Sequence, residues 1–315
     1  CVALAAALAP ALSPNRPEHR FPDRAFAPPM RVRVIDDEGR WRAPFVYPIR
    51  LADRLERRYE EVRTDAVPIA WFSRGVVARL SDERMGPWLP LGADGSGRDV
   101  FARLVHGARL SLAVALAAAL GALLIGTLVG GAAGAAGGTV DEALMRLSDF
   151  VVVLPAMYVV LSLRAALPLV LPPAQVFALV TGILALVGWP IVARGVRAIV
   201  AGERERDYAQ AAVALGAGRA RLLLRHLLPA ARGFLAAQAA LLVAAFILAE
   251  ATLSYVGLGF PDPSVSWGVM LQEAANVSAL ADAPWTLAPA AGIFLVVLGV
   301  NLAAPPVSAG TRTGT

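Results

Sequence analysis

The stretch Asp207–Pro229, DYAQAAVALGAGRARLLLRHLLP, decides how this chain is organised. It is polar and rich in arginine, yet it lies between two long apolar runs, Val176–Ala193 and Phe234–Ala249. The spacing predicts two short helices that separate at Gly216, because glycine permits the left-handed conformation that ends a helix, with Pro229 closing the second helix. The simpler interpretation is an amphipathic connector that lies on a bilayer surface.

The composition places the chain in a membrane. Hydrophobic residues make up 57% of it, and the mean hydropathy is +0.60. Several uncharged runs reach the roughly 18–20 residues that are needed to cross a bilayer. The predicted spans are a short first run, Val2–Leu12, then Leu110–Val140, Phe150–Leu171, Ala174–Ala193, Phe234–Tyr255 and Trp285–Ala304. We interpret the first run as the outer part of a truncated span; a cleaved signal peptide is the rival interpretation.

The basic residues exclude several classes of protein, because every one of them is arginine. A Walker A loop and a Schiff-base site both require lysine, so this chain is not expected to be a P-loop ATPase or a lysine Schiff-base enzyme. A single cysteine excludes internal disulfides, and His19, His106 and His226 lack metal-ligand spacing, so no metal or cofactor is expected. The sequence pI is near 10.1, but in so apolar a chain the arginines indicate lipid contacts and topology rather than nucleic acid.

Arginine distribution sets the predicted topology. Arg194–Arg232 holds eight arginines, whereas Phe260–Pro284 has none and carries three acidic residues. By the positive-inside rule the first segment is cytoplasmic and the second lies on the opposite side. Counting outward predicts six spans with both chain ends in the cytoplasm. The long segment 13–108 then falls outside, since the rule weakens for loops beyond roughly 60 residues.

The outer segment is rich in proline and has mixed charge. Met30–Ile35 and Arg42–Ile49 are predicted to form short strands around the turn Asp36–Gly39. Leu51–Val62 has apolar residues at near-helical spacing, which favours one amphipathic helix. The segment is either a small lid or scaffold on the outer face, or a poorly ordered insertion.

Small and ionisable residues mark positions inside the apolar runs. Gly126, Gly130, Gly134 and Gly138 recur every four residues, which favours one helix face that a neighbouring helix can approach closely. Arg164 and Glu250 interrupt the third and fifth spans. Each could line a translocation path, pair with the other, or lie at the outer interface, because charges inside a membrane are costly.

The opening stretch also carries a family resemblance. Gln210-Ala211-Ala212, Gly216 and Leu228-Pro229, at their spacing, resemble the EAA loop of ABC-importer permeases, although the usual glutamate is Gln210 and the usual isoleucine is His226. Leu91–Leu112, LGADGSGRDVFARLVHGARLSL, resembles the stretch before the second span of dipeptide/oligopeptide-type importer permeases. Gly138–Pro155 and AEATLSYVGLG at Ala249–Gly259, followed by Trp267-Gly268, resemble later motifs of the same family, in the same order.

The Leu91–Leu112 motif also has a physical interpretation. Gly92, Gly95 and Gly97 allow a tight turn. Asp99 lies early in the following helix, where a carboxylate suits the positive end of the helix dipole. The remaining motif residues predicted on the extracytoplasmic side are Asp94 and Arg98, and the arginines Arg98, Arg103 and Arg109 are expected to mark the outer interface.

The resemblance spans roughly Leu91 to Asn301 and implies an all-α polytopic membrane protein of the bacterial inner membrane. Its predicted parts are a truncated first span (1–12), an extracytoplasmic insertion (13–108), a five-helix permease core (109–304) and a cytoplasmic tail (305–315) that departs from the family's usual sequence. The implied partners are a second homologous permease, two cytoplasmic ATPases that use ATP and Mg²⁺, an extracytoplasmic solute-binding protein and membrane lipids. The implied ATPase-coupling residues are Asp207, Tyr208, Gln210, Ala211, Ala212, Leu215, Gly216, Leu228 and Pro229.

Other functions remain to be weighed. The solute could be a di- or oligopeptide, nickel, a sugar or another peptide-like compound, since no ligand cluster is visible in the sequence. An intramembrane enzyme would depend on Asp141, Asp149, Glu250 and His226, which fall in different predicted layers and form no known catalytic motif. A membrane scaffold without transport is the third alternative.

Overall fold

The computed structural model describes residues 2–54, 56–73, 75–154, 158, 162, 172–275 and 281–303, most of them helical. The chain divides into two compact units. The first unit comprises Cys1–Leu112 and Ala251–Leu295, and the second comprises Ala113–Glu250 and Val296–Thr315. Arg164 and the predicted tail 305–315 lie outside the described residues.

The helices follow the apolar runs of the sequence. Their bounds are α1 Val2–Ala7, α2 Ala9–Leu12, α3 Val100–Ala136, α4 Gly138–Val153, α5 Pro173–Arg204, α6 Asp207–Ala214, α7 Arg219–Leu222, α8 Arg232–Tyr255, α9 Trp267–Glu273 and α10 Ala288–Ala303. Within the described residues, four helical segments are long and apolar enough to cross a membrane: Val100–Ala136, Pro173–Arg204, Arg219–Tyr255 and Pro284–Ala303. The third predicted span, Phe150–Leu171, lies mostly outside the described residues, so the six-span arrangement stays a prediction.

Helix α3 carries an exposed apolar stripe. Leu116, Leu120, Leu124 and Leu128 are all exposed. Positions four residues apart share one face of a helix, so these leucines form a continuous row. A row of exposed leucines suits a hydrocarbon environment rather than water.

The opposite face of α3 packs against α5 through glycine. A Cβ atom added at Gly126 would lie 2.5 Å from the Val192 Cβ, and one at Gly134 would lie 2.8 Å from the Arg197 carbonyl oxygen. At Gly130 it would collide with the backbone of Ala193. These three glycines therefore bring the two backbones into contact, as predicted. Gly138 does not belong to the stripe, because it follows the break at Gly137 and begins α4.

The insertion in the first unit forms two antiparallel sheets. Strands β1 (Arg33–Ile35), β2 (Trp41–Val46), β5 (Val67–Ser73) and β6 (Val76–Leu80) make a four-stranded sheet in the order β1-β2-β5-β6. Strands β3 (Ile49–Asp53) and β4 (Arg58–Glu61) make a separate two-stranded sheet. Their buried side chains Val46, Ile49, Val67, Ile69, Ala78 and Leu80 form one core with Leu89, which follows the last strand.

These strands correct two expectations. The all-α prediction is wrong for the segment from Arg33 to Leu80, although the strands around the Asp36–Gly39 turn confirm the strand prediction there. The predicted helix Leu51–Val62 is instead the β3–β4 hairpin, in which Leu51 pairs with Tyr59. The hairpin closes because the Asp53 carboxylate accepts the Glu56 N–H (3.1 Å) and the backbone of Arg57 turns to φ +52°.

We expect Gly130→Ala to lower the thermal unfolding temperature of the purified protein in nanodiscs. The added methyl group must push the backbones of α3 and α5 apart, which costs about 1–3 kcal/mol. Gly182→Ala is the matched control, since Gly182 lies in α5 with nothing within 4 Å of its would-be Cβ. Equal unfolding temperatures for the two variants would contradict the close contact.

Candidate functional site

Helix α6 is fastened to the end of α5 by side-chain hydrogen bonds. The Tyr208 hydroxyl donates to the Glu203 carboxylate at 2.6 Å, and the Gln210 amide donates to the Glu205 carbonyl at 3.1 Å. The hydrogen bond to Glu203 raises the pKa of Tyr208. Arg206 turns the chain between the helices in an extended conformation. The orientation of α6 is therefore set by α5.

The outer side of α6 presents apolar side chains to the surroundings. Ala209 is buried beneath the helix, whereas Val213 is 55% exposed and Leu215 is 89% exposed. Of the predicted site residues, the exposed ones are Asp207, Tyr208, Gln210, Ala211, Leu215 and Gly216, and the half-buried ones are Ala212, Leu228 and Pro229. We call the exposed set Tyr208, Val213 and Leu215 the apolar ridge. A polar connector would bury or avoid such residues, so the ridge is a candidate contact surface.

Gly216 ends α6 in the way that its sequence predicts. Its φ is +83°, in the left-handed region that glycine occupies without strain. The Ala217 N–H donates to the Ala212 carbonyl (3.0 Å), and the Gly216 N–H donates to the Val213 carbonyl (2.9 Å). These are the two bonds of a Schellman motif. Nothing lies within 4 Å of a Cβ added at Gly216, so conformation rather than space requires glycine here.

Pro229 does not end the second helix, which corrects the prediction. After α7 the chain widens into a π turn at Leu223–Leu227 and tightens into a 3₁₀ turn at Leu228–Ala231 before α8 begins. Pro229 has no N–H and its ring would clash with a carbonyl one turn earlier in a regular helix. The altered turns relieve this clash and let the helix continue through the proline.

Ion pairs hold α4 to α5. The Arg197 guanidinium donates to both oxygens of Asp141, with Nε at 2.9 and 3.1 Å, and Arg194 pairs with Asp149 at 2.6 Å. The hydrogen bond from Arg197 lowers the pKa of Asp141, while burial opposes it without outweighing it. Asp141 and Asp149 are thus engaged in ion pairs with α5. This arrangement assigns them a structural role rather than an acid–base one.

The motif 91–99 folds into a glycine turn around one carboxylate. The Asp94 Oδ1 accepts the N–H groups of Ser96 (2.8 Å) and Arg98 (3.0 Å). Gly92 and Gly97 both have φ +74°. A Cβ at Gly92 would lie 2.7 Å from the Ala27 carbonyl oxygen, so glycine is needed for space as well as for conformation.

Behind this turn lies a charge network in which Asp94, Arg98 and Arg103 are buried, whereas Asp262 and Glu273 are partly exposed. The Arg98 guanidinium donates to Asp94 at 2.9 Å, to Asp262 at 3.2 Å and to Glu273 at 2.8 Å. Arg103, only 1% exposed, pairs with Asp94 and with Glu273. Burial by itself would lower the pKa of Arg98, but the attraction of Asp94 and Glu273 outweighs it and the pKa is raised. The network fastens the motif to α9 and to the loop before it.

The structure adds contacts that the sequence did not indicate for these arginines. Arg98 and Arg103 are buried against carboxylates and Arg109 is exposed, while their predicted place at the outer membrane interface stays a prediction. Glu273 and Asp262 were not predicted from the sequence as partners of these arginines. One signal was available in the sequence: the acidic residues lie in a segment that has no arginine of its own. Buried arginines require negatively charged partners, and this segment could supply them.

Asp99 is fully buried at the beginning of α3. Its Oδ1 accepts the Phe101 N–H at 2.9 Å, and its Oδ2 accepts the Asn15 amide at 2.8 Å. Burial raises the pKa of Asp99 to about 6, although these hydrogen bonds act in the opposite direction. Asp99 was expected early in α3, but it precedes Val100, the first residue of that helix, and its burial was not foreseen.

The structure describes one of the two residues that were predicted to line a translocation path. Glu250 lies in α8 and is 1% exposed. Arg164, its hypothetical partner, lies outside the described residues. The pairing therefore remains a prediction.

Known proteins resemble this chain in both sequence and fold. The family model for binding-protein-dependent transport system inner membrane components matches residues 122–305. A putative peptide permease protein of Brucella ovis is 39% identical over 211 residues, covering 67% of this chain and 68% of that protein. The oligopeptide transport system permease protein OppC of Bacillus subtilis is 38% identical over 212 residues, covering 67% of each.

The fold comparison agrees with the sequence comparison. An inward-facing structure of the MetNI methionine ABC transporter aligns with a TM-score of 0.51 at 15% identity, covering 64% of this chain and 93% of the matched chain. At that identity the match shows a common fold and no more.

Glu273→Gln is expected to destabilise the protein. It leaves the buried Arg103 with Asp94 but with one fewer negative charge; because the Glu273 side chain is 34% exposed, we expect a cost of about 1–2 kcal/mol, below that of a fully buried pair. Glu142→Gln is the control, because Glu142 pairs with Arg146 on the exposed surface, where such pairs contribute little. Thermal unfolding in nanodiscs measures both; equal temperatures would mean that the network does not hold the motif to α9.

The burial of Asp99 predicts a pH dependence that Asp99→Asn removes. The folded-state pKa of about 6 exceeds the unfolded value, so the folded protein binds more protons between about pH 4 and pH 6. Ionisation of Asp99 therefore lowers the free energy of unfolding as the pH rises through that window, by about 3 kcal/mol in all. We expect the unfolding temperature of the variant, relative to the unsubstituted protein, to rise from pH 4.5 to pH 7. A pH-independent difference would contradict the burial.

Proposed function

The chain belongs to the family of binding-protein-dependent transport system inner membrane components, and from this premise we propose how it works as the permease subunit of an ATP-driven importer. It is a multi-pass membrane protein, and the family name supports an inner-membrane location. Members of the family are permeases rather than ATPases, so ATP and Mg²⁺ bind to partner subunits. The chain itself then contributes the path for the solute and no catalysis.

The apolar ridge on α6 carries the proposal. In the assembled importer the ridge of Tyr208, Val213 and Leu215 seats in a groove of a cytoplasmic ATPase subunit. The exposure of Leu215, at 89%, supports this role, because burying such a side chain against a partner is favourable by about 1.5–3 kcal/mol. The small side chains of Ala211 and Ala212 allow the partner to approach closely.

Motion at α6 can reach the spans through α5. The hydrogen bonds from Tyr208 and Gln210 tie α6 to the end of α5. The ion pair of Arg197 with Asp141 ties α5 to α4. When ATP closes the ATPase pair, α6 moves with its groove, and α5 and α4 move with α6. The spans then alternate between outward and inward access.

Peptides are the solute that we propose. The relatives named as peptide, oligopeptide and dipeptide permeases support this class over nickel or a sugar. A solute-binding protein delivers the peptide on the outer side, and a second homologous permease completes the path. The buried carboxylate of Glu250 lies within α8, where it can border this path.

Gly216→Pro should uncouple ATP hydrolysis from transport in the reconstituted importer. Proline fixes φ near −65°, whereas this position requires +83°, so the Schellman motif is lost and the ridge changes direction. Ala212→Asp should have the same effect, because it places a carboxylate where the ridge contacts the groove of the ATPase subunit. We expect peptide uptake into proteoliposomes to fall at least about tenfold, equivalent to roughly 1.4 kcal/mol of coupling, while ATP hydrolysis persists.

Gly218→Ala is the matched control for this experiment. Gly218 is two residues away, has φ −68° and has nothing within 4 Å of its would-be Cβ, so alanine should be accepted without effect. Unchanged uptake in both Gly216→Pro and Ala212→Asp would contradict the role of α6.

A further inference from the structure

A cavity of about 470 Å³ lies where helix α7 meets the corner between α3 and α4. Ala132 and Ala136 from the last turns of α3, and Val140 from the first turn of α4, form one wall. Arg219 and Leu223 line it from the segment that begins with α7. Among the described residues that line the cavity, Arg219 is the one with a charged side chain. The cavity therefore combines apolar walls with a single cation, at a volume typical of ligand pockets.

The cavity lies at the ends of two uncharged runs of sequence. The run Leu110–Val140 contains no charged residue, and its last residue lines the cavity. The run Gly233–Ala249 is also uncharged and begins directly after Arg232. Most of each run belongs to a helical segment that is long and apolar enough to cross a membrane. Because charged residues flank the hydrocarbon-spanning part of such segments, the cavity is at the boundary between membrane and water.

Close packing brings these two ends together. A Cβ atom added at Gly131 of α3 would lie 3.4 Å from the Leu228 side chain and 3.6 Å from the Leu223 side chain, which are ordinary contact distances. The segment that follows α7 therefore rests on the last part of α3. Positions four residues apart share a helix face, so Arg219 is held beside the same end of α3 as Leu223.

The arginines of this segment differ from those of α5 in their partners. Arg194 and Arg197 in α5 form ion pairs with carboxylates of α4. The exposed arginines of the α7 segment are Arg219, Arg221 and Arg225. Within the part of the chain that the structure describes, none of these three forms an ion pair, and the sequence 208–249 contains no acidic residue. Positive charge beside the cavity is thus left without a local counter-charge.

We propose that the cavity binds an anionic phospholipid. The lipid phosphate accepts hydrogen bonds from the planar guanidinium of Arg219, whose geometry matches phosphate oxygens, and part of an acyl chain covers the apolar wall. Basic pockets between membrane helices recognise acidic headgroups in this way. Inorganic phosphate would satisfy Arg219 but leave the apolar wall uncovered, so a lipid fits the whole cavity. The bound lipid ties α7 to the end of α3.

The proposal requires only that the chain spans a membrane, and it is independent of the solute and of ATPase docking. Native mass spectrometry of the purified full chain tests it by measuring the apparent Kd of the first bound dioleoylphosphatidylglycerol. We expect Arg219→Gln to weaken this binding about fivefold, the effect of one arginine beside an anionic headgroup. Binding of the zwitterionic dioleoylphosphatidylcholine should not change. Arg146→Gln is the matched control, because Arg146 is exposed and pairs with Glu142, and it should leave both affinities unchanged.

A second variant tests the apolar wall while Arg219 is kept. Ala132 is exposed and lines the cavity, so the phenylalanine of Ala132→Phe occupies the space of the acyl chain without entering the packed face of α3. We expect phosphatidylglycerol binding to weaken about fourfold, the value of one displaced methylene group. The unfolding temperature should stay that of the unsubstituted protein.

Three results would overturn the proposal. The first is an equal affinity for phosphatidylglycerol in the unsubstituted protein and in either Arg219→Gln or Ala132→Phe. The second is displacement of the lipid by excess inorganic phosphate, which would identify a site for a free anion. The third is displacement by the partner ATPase subunits, which would make the cavity part of a protein interface.

Discussion

The contact between α3 and α5 at glycine backbones is the interaction on which the second unit depends. Gly126, Gly130 and Gly134 leave no room for a side chain, so α5 lies at a fixed distance from α3. Helix α4 joins α5 through ion pairs, and α6 joins it through hydrogen bonds at its end. Helix α5 is thus the common support of the elements that the proposed coupling requires, and a displacement of α6 is not absorbed by a flexible linker.

Local chemistry made part of this structure predictable from the sequence. The turn at Gly216 was predicted because a glycine after a helical stretch selects the Schellman motif, and the motif is present. The apolar runs predicted the four long helices, because length and hydropathy can be read from the sequence alone. The glycines that recur every four residues in α3 predicted the face on which a neighbouring helix packs. The family motifs then indicated the role of α6, which its exposed leucine supports.

Interactions between distant residues were not predictable. Glu273 neutralises Arg103 across 170 positions of sequence, and no local pattern indicates that pairing. The β3–β4 hairpin was mistaken for a helix because Leu51 and Val62 fit a helical period by chance, while the Asp53 turn and the positive φ of Arg57 decided otherwise. Pro229 was expected to end a helix, but a π turn before it absorbs the missing hydrogen bond.

Photocrosslinking from the apolar ridge tests the central claim most directly. A photoreactive phenylalanine analogue replaces Leu215 in the cells' own membrane, and the same analogue at Leu120, in the exposed stripe of α3, is the control. We expect an adduct between position 215 and a P-loop ATPase that changes in yield with the bound nucleotide, and no ATPase adduct from position 120. An intact importer that gives no ATPase adduct from position 215 would contradict the role assigned to α6.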